Sequence, residues 1–226
     1  MKYTQFGVTL VRLKEEDIEL VRQWRNSPRI RERFAYREYI TTEMQKSWFR
    51  SISNLHNFYF VIIWQEEKIG VINAREIDWQ NRKLESGIFI RDQKYWNTPV
   101  PSIVSVMMTQ LFFRIFGWDH YHARILKSNT AAIRYNRSLG YTLCEGQEEN
   151  ENQLYILRRE VFEKRSVKLL QALSVLADGD TSAVCQLEPE ELGTELESFI
   201  EDHRPDIPWI TGIEENSEGR FYYLSG

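Results

Sequence analysis

Only two cysteines occur in the 226 residues, Cys144 and Cys185, and their spacing suggests neither a disulfide framework nor a metal site, so a reducing cytoplasm is the expected compartment. Histidine is nearly as scarce. His56, His120, His122 and His203 are scattered without ligand or triad spacing, and none is assigned a catalytic or metal-binding role. No apolar run approaches the ~20 residues that span a bilayer. The opening Met1-Lys-Tyr-Thr-Gln-Phe-Gly-Val8 lacks the basic-then-apolar pattern of a signal peptide. No repeat or low-complexity tract is present. What remains is enough for one domain with a substantial core plus an appendage, with no membrane or nucleic-acid partner expected.

The net charge of −4 hides an uneven distribution. From Asp178 onward there are thirteen acidic residues against Arg204 and Arg220, a balance of −11, so the rest of the chain carries +7. A basic body favours an anionic ligand such as a nucleotide or cofactor phosphate, and the acidic segment reads as a solvated face. The boundary between them lies near Glu163 to Asp178.

The pattern predicts a strand from Gly7 to Lys14, a helix opening at Glu15 and stopped by Asn26-Ser-Pro28, and a second helix from Thr41 to Ile52 with Trp48, Phe49 and Ile52 buried. Phe58 to Trp64 and Lys68 to Ile77 read as a hairpin, and Leu84 to Arg91 as the next strand. A helix follows from Ser102 to Phe116, apolar on most faces and ending at Gly117. Then come a strand from His120 to Leu126, a helix from Asn129 to Leu139 closed by Gly140, and strands at 141–143 and 153–159. An antiparallel meander followed by strand, helix, strand, helix gives an α+β or α/β fold: a mixed, mostly antiparallel sheet with helices on both faces.

The segment from Gly87 to Ser102 is the most telling. An apolar strand end feeds a short polar loop that runs straight into a helix, the arrangement whose free N–H groups and dipole hold anions. Its glycines are missing. Asn97, Thr98, Pro99, Val100 and Pro101 occupy the turn, and neither proline offers an N–H donor. Two lost charge-assisted bonds of ~1.5–3 kcal/mol each weaken anion binding by on the order of a hundredfold unless replaced. Proline is well tolerated in a first helical turn, so the helix itself survives. The side chains of Asn97, Thr98 and Ser102, and the charges of Lys94, Arg91 or Arg134, are the available replacements.

Together with Asn129-Thr-Ala-Ala-Ile-Arg-Tyr-Asn-Arg-Ser-Leu-Gly140-Tyr141 and Trp24-Arg25-Asn26, this loop makes residues 5 to 162 resemble the GNAT superfamily of acyl-CoA N-acyltransferases. The likeness is greatest to the branch of ribosomal-protein alanine acetyltransferases and acetyltransferases of nucleotide-linked amino sugars. It implies a GNAT-like domain over 1–162, with acetyl-CoA or another acyl-CoA as co-substrate and no metal. Pantetheine would add to the edge of Ile88, Phe89 and Ile90, and the pyrophosphate would sit over Asn97, Thr98, Val100 and Ser102. Asn129 either touches pantetheine or only caps its helix.

Acetyl transfer needs a deprotonated amine, an oxyanion donor and a departing thiolate. Glu85 stands where the family often carries its base, and Glu76 on the neighbouring strand is second; the bland alternative for both is a solvent-facing glutamate. The family's acid, a tyrosine, aligns with Asn136, a poor acid able to hydrogen-bond near the thioester. Tyr135 is rotated by about 100° and is expected in the core. A thiol with a pKa near ~8.5 can leave without a dedicated acid. Arg31, Arg33 and Arg37 either meet an anionic acceptor or form an ordinary basic surface.

Residues 163–226 extend beyond the resemblance: a helix from Glu163 to Leu176, an acidic helix from Glu188 to His203, and short strands from Trp209 to Ile213 and Phe221 to Leu224. This acidic α/β extension is expected to bind a second copy or another protein, or to pack on the basic body. Two functions stay open: an N-acetyltransferase acting on the primary amine of a small, anionic acceptor such as an amino sugar or amino-acid derivative, by direct attack in a ternary complex, and a GNAT-fold binding or scaffold protein without acetyl-CoA turnover.

Overall fold

A computed structural model describes residues 1–203 and 210–225. In chain order the elements are β1 (Lys2–Gln5), β2 (Val8–Arg12), α1 (Ile18–Asn26), α2 (Pro28–Arg31), α3 (Thr42–Ile52), β3 (Phe58–Trp64), β4 (Glu67–Asp78) and β5 (Lys83–Ile90). They continue through α4 (Val100–Gln110), β6 (His120–Leu126), α5 (Thr130–Leu139), β7 (Thr142–Leu143), β8 (Asn152–Arg158), α6 (Arg159–Leu176), β9 (Ala183–Leu187), α7 (Glu195–His203), β10 (Ile210–Asn216) and β11 (Gly219–Leu224).

The described strands form one sheet in the order β10-β11-β9-β1-β2-β3-β4-β5-β6-β8-β7. Every neighbouring pair is antiparallel except β5 and β6. Strand alternation divides the sheet's side chains between two layers. Phe58, Phe60 and Ile62 of β3 and Ile72 and Ala74 of β4 join the larger core under α4, α6 and α7. Tyr59, Val61, Ile63, Val71 and Phe89 face the other way, against Val21 and Trp24 of α1 and Trp48, Phe49 and Ile52 of α3. The mixed, mostly antiparallel sheet with helices on both faces is as the sequence pattern predicts.

The ends of several elements differ from expectation. Pro99 serves as the N-cap of α4, which therefore begins at Val100 rather than Ser102, and its last turn is a π-helix at Leu111–Ile115. Thr41 caps α3 by accepting from Met44 N at 3.2 Å, and Gly140 closes α5 at φ +112°, a value only glycine adopts without strain. The acidic helix expected from Glu188 starts at Glu195. Pro189 confines the first turn to a 3-10 segment over Pro189–Glu191, closed as a capping box by Glu188 and Glu191, and Gly193 at φ +72° separates it from α7.

The described residues of 163–226 do not hang free of the sheet. β9 pairs with β1 on one side and β11 on the other, and Leu173, Cys185, Leu187, Leu196, Ile200 and Leu224 belong to the larger core. Glu188 meets Lys2 at 3.1 Å and Lys14 at 2.8 Å, an acidic side chain of the extension packed on basic residues of the body. The expected strand start at Trp209 lies outside the described residues. Cys144 and Cys185 are both free thiols. Among the described residues no helix is long and apolar enough to cross a membrane, and no group of three His, Cys, Asp or Glu side chains could hold a metal ion.

Candidate active site

β5 and β6 run parallel, but their pairing is confined to Glu85 with His122 and Ser86 with Ala123. Beyond that point β5 stays paired to β4 through Gly70–Ile90 and Asn73–Gly87, while β6 stays paired to β8 as far as Leu126. A wedge opens between them. Among the described residues the edge from Gly87 to Ile90 has no strand partner on the β6 side, so its peptide groups can accept one more extended chain. Ile88 and Ile90 pack into the larger core and Phe89 into the smaller one, which holds this edge rigid. At the apex, Ser86 Oγ and Tyr141 Oη lie 3.2 Å apart in a hydrogen bond, and burial drives the Tyr141 phenol well above its ordinary pKa.

The β4–β5 contact is equally constrained. A Cβ on Gly70 would lie 2.3 Å from the Phe89 carbonyl oxygen, so only glycine permits this approach.

The loop after β5 is closed on itself. Asp92 caps a 3-10 turn over Gln93–Tyr95, and Tyr95 is buried with its hydroxyl donating to Glu67. Thr98 Oγ1 donates to the Tyr95 carbonyl at 2.6 Å and accepts from Val100 N at 3.3 Å. Trp96 N and Thr98 N bond to Gln93 and Tyr95, and Ile103 N to Pro99. With Pro99 and Pro101 lacking donors, the amides of Asn97 and Ser102 are the ones left over for an anion, Asn97 exposed and Ser102 half-buried. Of the expected compensating charges, Arg91 and Lys94 sit 2.8 Å and 3.8 Å from Glu67, and Arg134 is exposed. Arg33, on the segment leading to α3, stands 4.2 Å over the Trp96 ring.

Asn129 is the N-cap of α5, its Oδ1 accepting from Ala132 N at 3.2 Å. Asn136 Nδ2 donates back to the Ala132 carbonyl at 2.9 Å. Tyr135 turns toward α4, donating to the Pro101 carbonyl at 2.7 Å and bonding Ser105 Oγ at 2.7 Å. Burial pushes its phenol up to about 12. This tyrosine ties α5 to the start of α4 rather than facing the wedge.

Glu85 lies at the apex, mostly buried, with both oxygens taken: Oε1 accepts from Arg124 Nε and Oε2 from Arg75 Nη2, each at 2.8 Å. Glu76 sits on the bulge that interrupts β4 between Arg75 and Asp78, at φ +54° and exposed, 3.6 Å from Arg75. The structure thus brings Glu85 to the wedge and leaves Glu76 outside it. His122, opposite Glu85, was not singled out by spacing. It shares the face of Glu85 and Arg124, and burial together with His120 holds its pKa below the ordinary value. Such an imidazole is neutral at pH 7 and able to take a proton.

Comparison with known proteins bears on this wedge. A curated but uncharacterized protein of Methanocaldococcus jannaschii is 27% identical over 149 residues, 64% of this chain and 30% of that protein, so this chain spans about a third of its relative. The fold is shared with FdhC, a nucleotide-linked sugar GNAT, at 16% identity and TM-score 0.64, covering 76% of this chain and 98% of that one. It is shared also with the spermidine N-acetyltransferase of Vibrio cholerae, solved with CoA and spermine, at 17% identity and TM-score 0.61, covering 70% and 98%. Residues 8–142, from β2 to the Tyr141 that braces the apex, match the acetyltransferase (GNAT) domain, and the protein belongs to that family.

Proposed function

We propose that the protein transfers an acetyl group from acetyl-CoA to the primary amine of a small anionic acceptor, an amino sugar or amino-acid derivative, within a ternary complex. The observation that carries this reading is the wedge: the open edge of Gly87–Ile90 beside a helix start offers pantetheine a strand to pair with and the pyrophosphate the amides of Asn97 and Ser102. The co-substrate named with the Vibrio cholerae relative supports the same donor class.

In the reaction the amine nitrogen attacks the thioester carbon and a C–N bond forms. The carbonyl electron pair moves to oxygen, held by a main-chain N–H of the open edge, then returns as the C–S bond breaks. Glu85 keeps lone pairs beyond those engaged by its two arginines and orients the amine N–H; neutral His122 beside it takes the proton. The thiolate takes a proton from solvent, since Asn136 is committed to Ala132 and Tyr135 to α4.

Calorimetric titration with acetyl-CoA tests the donor: saturable binding supports the reading, and none at millimolar concentration overturns it. Glu85→Gln, assayed by thiol release, should lower kcat/KM at least tenfold, the lower end of the ~1.5–3 kcal/mol of one charge-assisted bond, and an unchanged rate removes Glu85 from the mechanism. The two prolines favour a second reading, a GNAT-fold binding protein without turnover, and the same titration separates the two.

A further inference from the structure

Three polar atoms on the α1 and α3 side of the sheet are buried without any hydrogen-bond partner: Arg25 Nη1, Gln45 Nε2 and Asn73 Oδ1. Arg25 follows Val21 by one turn on the buried side of α1. Its guanidinium carbon lies 3.5 Å over the centroid of the Phe34 ring, no described carboxylate pairs with it, and burial presses its pKa down to about 10. Gln45, only 4% exposed, stands one turn before Trp48 and Phe49 on the buried side of α3. Asn73 is paired across β4 and β5 with Gly87, where a Cβ would stand 3.5 Å from Asn73 Oδ1.

These atoms belong to one layer. Phe34 and Trp24 both meet Phe89 edge-on, at 5.9 Å and 6.3 Å, and Phe89 follows Gly87 on the same face of β5. Tyr59, the cross-strand partner of Asn73, packs in the same layer as Val21 and Trp24 of α1. A buried cation and buried amide groups left unmade are costly in an empty protein. Two donors and one acceptor on one face have the polarity of a ligand carrying an anion at one end and an N–H at the other.

The charge count selects the anion. Arg75 and Arg124 are matched to Glu85 and Glu76, so Arg25 contributes one uncompensated positive charge to this layer. A carboxylate balances it, and the guanidinium fork suits a planar two-oxygen acceptor. A phosphate dianion would leave a net negative charge among Trp24, Phe34 and Phe89, which is unfavourable. We infer that Arg25 and Gln45 hold a carboxylate of the acceptor while Asn73 Oδ1 accepts from its amine beside Gly87, making the acceptor class amino carboxylates, whether amino acids or carboxylated amino sugars. The amine end of this assignment rests on the acyl-transfer reading; the carboxylate end does not.

The test is a tryptophan-fluorescence titration of the full chain, without acyl donor, using glycine, β-alanine, 4-aminobutyrate, 5-aminovalerate and L-glutamate. Each is compared with its carboxamide and its phosphonate of equal length. At least one carboxylate should saturate and bind roughly thirtyfold or more tightly than its amide, the loss expected when a charge-assisted bond is removed. Arg25→Met should abolish that preference while the unliganded variant melts at the wild-type temperature or above, because an uncompensated buried charge has gone. A merely structural arginine would do the reverse. Gln45→Leu provides a second variant, expected to weaken the carboxylate about tenfold with acetyl-CoA affinity unchanged.

Equal binding of acid and amide, a phosphonate preferred over its carboxylate, no saturation at about 10 mM, or an Arg25→Met protein that binds as wild type each overturns the assignment. Equilibrium dialysis with acetyl-CoA on the same proteins keeps the two readings apart. A carboxylate preference without acetyl-CoA binding leaves this site standing and removes acyl transfer, and the opposite pattern does the reverse.

Discussion

Pro101→Ala should tighten acetyl-CoA binding. Pro101 is the second residue of α4, whose first-turn N–H groups have no partner within the helix, and its own nitrogen carries no hydrogen. Val100 N is already capped by Thr98 Oγ1, and Ile103 N bonds to Pro99, so in this turn the wild type presents only the Ser102 amide. Alanine supplies a second donor beside it, at the positive end of the helix. One charge-assisted hydrogen bond of ~1.5–3 kcal/mol corresponds to a Kd lower by about 10- to 150-fold. The loss of proline's rigidity takes back about 0.4–1 kcal/mol of stability, little of which enters the affinity because the helix stays formed. Calorimetry on the purified variant gives the affinity, and acetyl-pantetheine, which lacks the pyrophosphate, is the internal control. The gain should appear for acetyl-CoA and vanish for acetyl-pantetheine. An unchanged acetyl-CoA Kd, or equal gains for both, would refute the placement of the pyrophosphate on this turn.

Other outcomes follow from the geometry around the wedge and the extension. The kcat/KM profile should rise on an acid limb centred below ~6.5, because the His122 pKa is depressed and the enzyme loses its neutral base only at lower pH; His122→Asn should remove the limb and most of the rate. Gly70→Ala should cost about 2 kcal/mol or more in a urea melt, since its Cβ and the Phe89 carbonyl cannot share 2.3 Å without β4 and β5 moving apart. Glu188→Gln should destabilise by about 1–2 kcal/mol, the lysine partners being partly exposed. Burial opposes its ionisation, yet the bonds from Lys14 and Lys2 hold the Glu188 pKa down to about 2. Its contribution is therefore complete above the ordinary carboxylate pKa and fades as pH falls toward about 2, so wild type and variant should converge in acid melts.

The fold was legible wherever a local period set the structure. The unbroken β-branched and aromatic run of Phe58–Trp64, the apolar run after Val100 and the glycine closing α5 each announce their element within a few residues. β1 and β9 were not, because Lys2–Gln5 carries little alternation and both strands are fixed by pairing with each other across more than 170 residues. Glu85 was found because the resemblance places a base at its position, but what surrounds it was not: Arg75, Arg124 and His122 come from strands that meet it only across the sheet. Asn73 looks ordinary in the chain, and Arg25 stood out only as part of Trp24-Arg25-Asn26 with no role attached; what marks both is the bond they fail to make once folded.

The junction of β1 with β9 also sets an order of events during synthesis. β2 to β8 can close from contacts made by the first 158 residues, yet the outer edge of β1 stays bare until Ala183–Leu187 has been made and brought back across the sheet. A nascent chain thus carries an exposed strand edge for the whole interval in which α6 is being made, and the ladder that covers it is the one of longest loop closure. Ribosome-stalled intermediates ending near residue 176 are where self-association of this protein should concentrate.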